Sequence, residues 1–279
     1  MRLENPLDMI FVSVTPIETR TSEKTKVGTG SFLRYEWEGG TKKTDFLVTN
    51  RHVIRDGLTS RFRLKRLENG HPSPNQIDTY EVNGGERDWF CHPDKDVDVA
   101  ILYMGRYFSE TRKQGFEPYY AAIDKSIIPP TEVVEELQSV EEVTFVGFPT
   151  GLYDKTNFIP IVRKGVTASP AAVDYDGKSV FLIDASIFPG SSGSPVFIMN
   201  AGAYLTRKGI NVGTRTLFLG IVSQSWVWKP GFQPEPADAP SVADKQDQNK
   251  DYIDLGTVVK TRAILETVQA FLRGNGEKV

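Results

Sequence analysis

The chain has 279 residues, of which 39% are hydrophobic and 25% charged; this composition supports a packed core and excludes a collagen-like or wholly disordered chain. Its 33 Lys and Arg against 36 Asp and Glu leave a formal net charge of -3, so no cationic surplus draws it to phosphates or anionic lipid, and neither nucleic acid nor a membrane is expected as a partner. A single cysteine, Cys91, excludes an intrachain disulfide, points to a reducing compartment and is expected as a small buried hydrophobe.

At the N-terminus, Glu4 and Asp8 interrupt the short apolar stretch, which offers neither a signal-peptide core nor a cleavage site of small residues, so a cytoplasmic location is expected. No run approaches the roughly 18 apolar residues that span a bilayer. Segments rich in Val, Ile, Phe and Thr between turn signals predict strands at Met9–Val14, Gly30–Trp37, Thr44–Thr49 and Val97–Met104. The rhythm breaks between residues 105 and 140, where Pro129-Pro130 and the acidic run Glu132–Glu142 mark a boundary. An N-terminal unit over 1–125 and a linker over 126–140 are therefore expected.

Strand-like sequence resumes at Val143–Phe148, Phe158–Val162, Ser179–Ile183, Pro195–Met199 and Leu217–Ser223, within a second unit over 141–260. Residues 229–251 carry four prolines, many charges and no apolar periodicity; a mobile surface loop is predicted, read as an inert insertion in preference to a lid. Over Thr261–Arg273, Ile264, Leu265, Val268, Phe271 and Leu272 form one stripe and predict an amphipathic helix, so residues 261–279 are helix and tail. The fold class is all-β with a C-terminal helix, and no internal repeat is evident.

Three histidines leave imidazole chemistry few places. His52 follows Phe46-Leu-Val-Thr-Asn-Arg, a strand that delivers a titratable ring to a turn, where a general base is both held and accessible; taken alone, such a histidine reads as structural. In Asp96-Val-Asp98-Val-Ala-Ile-Leu a carboxylate opens an apolar run. A carboxylate bordering a core needs donors or a cation, and an imidazole that becomes imidazolium supplies both. Strand alternation puts Asp94, Asp96 and Asp98 on one side; Asp98 is favoured because the apolar run begins there. The third segment is Asp184-Ala-Ser-Ile-Phe-Pro-Gly190-Ser-Ser192-Gly-Ser-Pro. A serine hydroxyl is a poor nucleophile until a base takes its proton, and the oxyanion it builds needs preorganised donors. Gly190 and Gly193 allow strained angles and close approach, so the backbone N–H groups of Gly190 and Ser192 can converge on one oxygen, worth roughly 3 kcal/mol per donor.

With the order His, Asp, Ser and these flanks, the sequence resembles the trypsin-like (chymotrypsin-fold) serine proteases, and the segment around Ser192 is most similar to the HtrA-like bacterial branch. The resemblance implies two packed six-stranded antiparallel β-barrels, with His52 and Asp98 from the first, Ser192 from the second and a cleft between them. It further implies that Leu219-Gly-Ile-Val-Ser223-Gln-Ser225 pairs with bound peptide, that Ser186 lines the base of the primary pocket, and that Ser225 and Gly256 stand on its walls. With no carboxylate at the base, an uncharged P1 side chain is expected. Digestive members carry an aspartate before the nucleophile that pairs with a newly cut N-terminal amine. Here Ser191 stands in that place, and no early Arg/Lys-Ile-Val-Gly-Gly sequence is present. The enzyme is thus expected to be synthesised competent or switched by loop ordering. HtrA-like proteins usually carry a PDZ domain after the protease, and none is expected here.

Competing readings are weaker. The Gly-x-Ser-x-Gly elbow of the α/β-hydrolases needs glycine where Ser194 stands, and that fold places its histidine after its serine. A metal site from Cys91, His92, Asp94 and Asp96 lacks spaced Cys/His pairs, so those residues read as solvated turn residues, and His71 as a loop residue. No metal or cofactor is expected. The expected function is a serine endopeptidase acting on a protein or peptide substrate, with a regulatory protein partner also open; the alternative is a protease-like module that binds an extended peptide without cutting it.

Overall fold

A computed structural model describes residues 8–68, 70–83, 85–228, 235–238 and 251–279. Two antiparallel sheets come from successive parts of the chain. The first contains β1 (Val14–Arg20), β2 (Thr25–Trp37), β3 (Lys42–Thr49), β4 (Thr59–Glu68), β5 (His71–Asn83), β6 (Trp89–Cys91), β7 (Ala100–Tyr103) and β8 (Glu117–Tyr119). Their order is β5-β4-β1-β2-β3-β7-β6, with β8 on β4. The second contains β9 (Glu142–Gly147), β10 (Ile161–Thr167), β11 (Val180–Asp184), β12 (Pro195–Thr206), β13 (Gly209–Trp228), β14 (Glu235–Asp238) and β15 (Asp251–Lys260). Its order is β12-β9-β10-β11-β15-β13-β14, and an additional β12–β13 pairing joins six of these strands in a closed circuit. Helices are short, α1 (Arg51–Ile54), α2 (Gly85–Asp88), α3 (Gly105–Lys113) and α4 (Thr131–Glu135), except for the terminal α5 (Thr261–Gly274).

The expected all-β architecture with a terminal helix is observed, and several elements differ from their sequence reading. Met9–Val14 is predicted as a strand, but Asp8–Val12 forms a 3-10 turn that buries Ile10; the Ser13 hydroxyl donates to the Ile10 carbonyl at 2.9 Å and closes the turn before β1 begins. β1 itself hides from a hydrophobicity reading because Thr15 and Thr19 face inward, satisfied by the Arg63 carbonyl at 2.6 Å and the Ser60 hydroxyl at 3.0 Å. In β4, buried Ser60, Phe62 and Leu64 alternate with Arg61, Arg63 and Lys65, a period of two masked by its charged face. His71 opens β5 and is not a loop residue. Cys91 is half-buried, not buried, at the end of β6. Within the expected loop 229–251, residues 229–234 and 239–250 lie outside the described residues; Glu235–Asp238 is strand β14 and Asp251 opens β15.

Among the described residues, three apolar clusters hold the architecture. One belongs to the first sheet, around Phe32, Leu47, Phe62 and Trp89, and one to the second, around Phe145, Phe181, Val196 and Val258. The third joins the two halves: Leu33, Phe46 and Val48 pack with Val146, Phe148, Phe197 and Phe218, and with Ile264, Val268 and Leu272 of α5. Burying such side chains contributes roughly 1.5–3 kcal/mol each, so the groups carried by either sheet are held in register by a core that neither sheet forms alone. Among the described residues, no helix is long and apolar enough to cross a membrane.

Candidate active site

β3 ends at Thr49, Asn50 is extended, and the single turn of α1 carries His52 to the margin between the sheets. Asp98 lies just before β7, its carbonyl accepting from the Asn50 side-chain amide at 2.8 Å. The Asp98 carboxylate accepts from the His52 backbone N–H at 3.0 Å and stands 2.7 Å from His52 Nδ1. His52 Nε2 is 2.9 Å from Ser192 Oγ. An ionised carboxylate accepts only, so Nδ1 carries the proton and the Nε2 lone pair faces the serine hydroxyl. Asp94 and Asp96 are exposed and tied into their own turn, where Asp94 Oδ1 accepts the Asp96 N–H at 2.9 Å. The geometry therefore selects Asp98 from the three aspartates left open by strand alternation.

Asp98 has a third donor. The Ser223 hydroxyl reaches Oδ2 at 2.6 Å, while the Ser223 carbonyl lies 3.0 Å from Ser192 Oγ. Burial pushes the Asp98 carboxyl up, but the charge of His52 and the hydrogen bonds from His52 and Ser223 outweigh it and hold the group at about 2. It is thus an anion over the whole range in which an imidazole titrates. Expected beside the substrate, Ser223 is built into the charge arrangement as well.

The turn that carries Ser192 is shaped by Gly190 and Gly193, with φ of +85° and +87°. A Cβ at Gly193 would stand 1.9 Å from the Thr29 carbonyl oxygen, which explains the glycine on steric grounds as well as conformational ones. The Pro189 carbonyl accepts from the Thr150 amide. Because the peptide is trans, the Gly190 N–H points the opposite way, out of that contact. Neither the Gly190 nor the Ser192 N–H donates to another described residue, so both remain available to an incoming oxygen.

Thr29, on β2, reaches across from the first sheet to this turn. Its N–H donates to the Ser192 carbonyl at 2.8 Å, its hydroxyl donates to the Gly190 carbonyl at 2.9 Å, and that hydroxyl accepts the Phe148 N–H at 3.1 Å. Ser191, beside the nucleophile, accepts from Arg163 Nη2 at 2.8 Å. The Arg163 guanidinium also lies over the Phe145 and Phe188 rings, at 4.7 and 5.1 Å, and burial lowers its pKa to about 10. Sequence reading missed Thr29, Arg163 and Thr150. The one signal for Thr29 was the Gly28-Thr29-Gly30 triplet inside a strand, where a missing side chain marks close packing: a Cβ at Gly28 would meet Val53 at 2.7 Å and one at Gly30 would meet Leu47 at 2.7 Å.

The expected pocket residues are distributed differently from one another. Gly256 pairs with Ser225 across β15 and β13, and Ile187 packs where a Gly256 Cβ would be, 2.6 Å away. Ser225 is buried and its hydroxyl has no hydrogen-bond partner among the described residues. Ser186 is exposed, and its hydroxyl donates to Asp254 Oδ1 at 2.6 Å. A carboxylate thus stands beside Ser186, contrary to the sequence reading, which could not place a residue so distant in the chain. A cleft of about 590 Å3 runs beside Asp98, lined among others by His92, Tyr175, Gln224 and Trp226. Near it, His92 Nδ1 accepts the Asp94 N–H at 3.0 Å. Among the described residues, no three His, Cys, Asp or Glu side chains are grouped to hold a metal.

The comparisons with known proteins agree with this architecture. The model of the trypsin-like peptidase domain matches residues 28–203, and the chain belongs to that family. Among solved structures, HL collagenase shares 12% identity at a TM-score of 0.50, covering 96% of this chain and 95% of that one. Catalytically inactive tobacco etch virus protease complexed with substrate shares 15% identity at a TM-score of 0.49, over 95% of this chain and 87% of that one. A serine endoprotease from Yersinia pestis shares 14% at 0.47, over 98% and 68%. No curated protein matches the chain. The fold is that of the chymotrypsin-like serine proteases.

Proposed function

We propose that the protein is a serine endopeptidase that cleaves peptide bonds through an acyl-enzyme. The observation that carries the reading is the continuous line from Asp98 through His52 to Ser192, with separations of 2.7 and 2.9 Å. His52 takes the Ser192 proton as Oγ attacks the substrate carbonyl, and Asp98 holds the imidazole tautomer and stabilises the imidazolium. The developing oxyanion is received by the N–H groups of Gly190 and Ser192. The imidazolium then protonates the leaving amine, and a water activated by His52 hydrolyses the ester.

We place the P1 side chain against Ile187, Ser225 and Gly256 and propose that it is uncharged, because Ile187 and Ser225 are buried whereas Ser186 and the Asp254 carboxylate that accepts its hydroxyl are exposed. Profiling with a peptide library checks this. Dominant cleavage after Arg or Lys would bring Asp254 into the pocket and overturn the preference.

The test of the catalytic reading is labelling with a fluorophosphonate probe. Labelling of the wild-type chain that disappears in Ser192→Ala supports the endopeptidase. Absence of labelling together with retained peptide binding favours a peptide-binding module instead.

A further inference from the structure

The outer edge of β13 is occupied in three consecutive stretches. β15 covers one edge, pairing with Gly220–Val222 and Gln224–Trp228. On the other, β12 pairs as far as Ile221, and the nucleophile turn then takes over: Gly193 N–H donates to the Val222 carbonyl at 2.7 Å and Val222 N–H to the Ser194 carbonyl at 2.9 Å. Ser192 Oγ sits 3.0 Å from the Ser223 carbonyl. Immediately beyond, β14 pairs antiparallel with the same strand, Asp238 opposite Gln224, Ala237 opposite Ser225, Pro236 opposite Trp226 and Glu235 opposite Val227.

The direction of β14 matters as much as its position. Its C-terminal end points toward Ser192. A peptide attacked at Ser192 whose acyl side is added as a strand to this edge extends N-terminally away from the nucleophile along Gln224 to Val227, antiparallel to β13. Its residue opposite Ser223 would present the reacting carbonyl, and the four residues before it would face Gln224, Ser225, Trp226 and Val227. Those are the four places that β14 fills, in the same polarity. Pro236 also lines the cleft beside Asp98, so the overlap extends to the space that substrate side chains would enter.

Resting on the endopeptidase reading, we propose that Glu235–Asp238 is a built-in competitor for the acyl side of the substrate, a strand of the enzyme's own chain that must leave the β13 edge before an extended peptide can bind. Small reagents that reach Ser192 without using the edge are not affected by it. Competition of this kind lowers the fraction of enzyme competent for peptide, and so raises KM for extended substrates while leaving the chemical step alone.

A backbone variant isolates the effect. Proline is tolerated on an edge strand where its nitrogen faces away from the neighbour; Pro236 therefore marks a non-hydrogen-bonded position, and the amides of Glu235 and Ala237 face β13. The double variant E235P/A237P removes both amides, whereas E235A keeps them. Fluorophosphonate labelling rates and steady-state kinetics are measured for the wild-type chain and both variants. The substrates are a peptide with five residues before the scissile bond and a short ester of the same P1 residue. Expected in E235P/A237P is a KM for the peptide lowered about 3–10-fold, with its kcat, ester turnover and labelling rate unchanged, and E235A matching wild type throughout. An unchanged or higher peptide KM in E235P/A237P, with all three proteins labelled at equal rates, overturns the competitor. No labelling in any of them overturns the endopeptidase reading on which it rests.

Discussion

The hydroxyl of Thr29 lies 2.9 Å from the carbonyl oxygen of Gly190, across 161 residues of chain and from one sheet to the other. That contact orients the peptide that follows Gly190, whose N–H is that of Ser191, while the Thr29 amide holds the Ser192 carbonyl. The nucleophile turn is therefore fastened to the sheet that carries His52, and its conformation depends on both halves of the protein.

Replacing Thr29 by Val keeps the shape and removes the hydroxyl, leaving the Gly190 carbonyl and the Phe148 N–H without their partner. A loss of about 1–3 kcal/mol at such a site, expressed in the barrier, predicts kcat lower by about 5- to 150-fold with KM little changed, and Thr29→Ser close to wild type. Kinetics of the two variants check this; wild-type kcat in Thr29→Val would count against a positioning role.

Gly193→Ala meets both obstacles at once, a φ of +87° and a Cβ 1.9 Å from the Thr29 carbonyl oxygen. The turn must move to accept it. Fluorophosphonate labelling is expected to fall by about 100-fold or more, the scale of losing an oxyanion donor, and labelling at the wild-type rate would show that the turn is not constrained as described.

The Asp98 carboxyl, held at about 2 in the folded protein against an ordinary 3.8, links stability to acid. A depressed folded pKa stabilises the folded state above the unfolded value and loses that contribution as pH falls through the folded one. The wild type is expected to lose about 2 kcal/mol more than Asp98→Asn between pH ~5 and pH ~2. Urea unfolding of both proteins at each pH measures the difference, and parallel losses would contradict it.

At the far end of the chain, Phe271 of α5 packs its ring 5.6 Å from Phe46, 5.6 Å from Phe90 and 6.0 Å from Tyr103, all in the first sheet. Truncation to alanine is expected to cost about 2–4 kcal/mol in unfolding free energy, read by chemical denaturation. Because the ring partners of Phe271 include none of the three catalytic candidates, kcat of the folded fraction should stay near wild type.

Each of the three candidate catalytic segments could be found in the sequence because local chemistry marks it. A strand-end histidine, a carboxylate at the head of an apolar run and a serine between glycines have immediate neighbours that announce their setting. The terminal helix was legible for the same reason, since its stripe repeats with the helical period. β1 and β4 were not, because inward threonines and an outward row of charges hide a two-residue period from any measure of hydrophobicity. β14 was hidden further, in a proline-rich, charged stretch whose only reason to be extended is the strand beside it.

By itself, then, the sequence determined the residue types available for acyl transfer, their order, and a largely β architecture closed by a helix. Tertiary structure decided which of three aspartates meets His52, that Ser223 is its further donor, that Asp254 stands beside Ser186, and that Thr29 fastens the nucleophile turn. Chain neighbours dictate local conformation, whereas a hydrogen bond between groups 125 or 161 residues apart exists only once a shared apolar core has brought two sheets together.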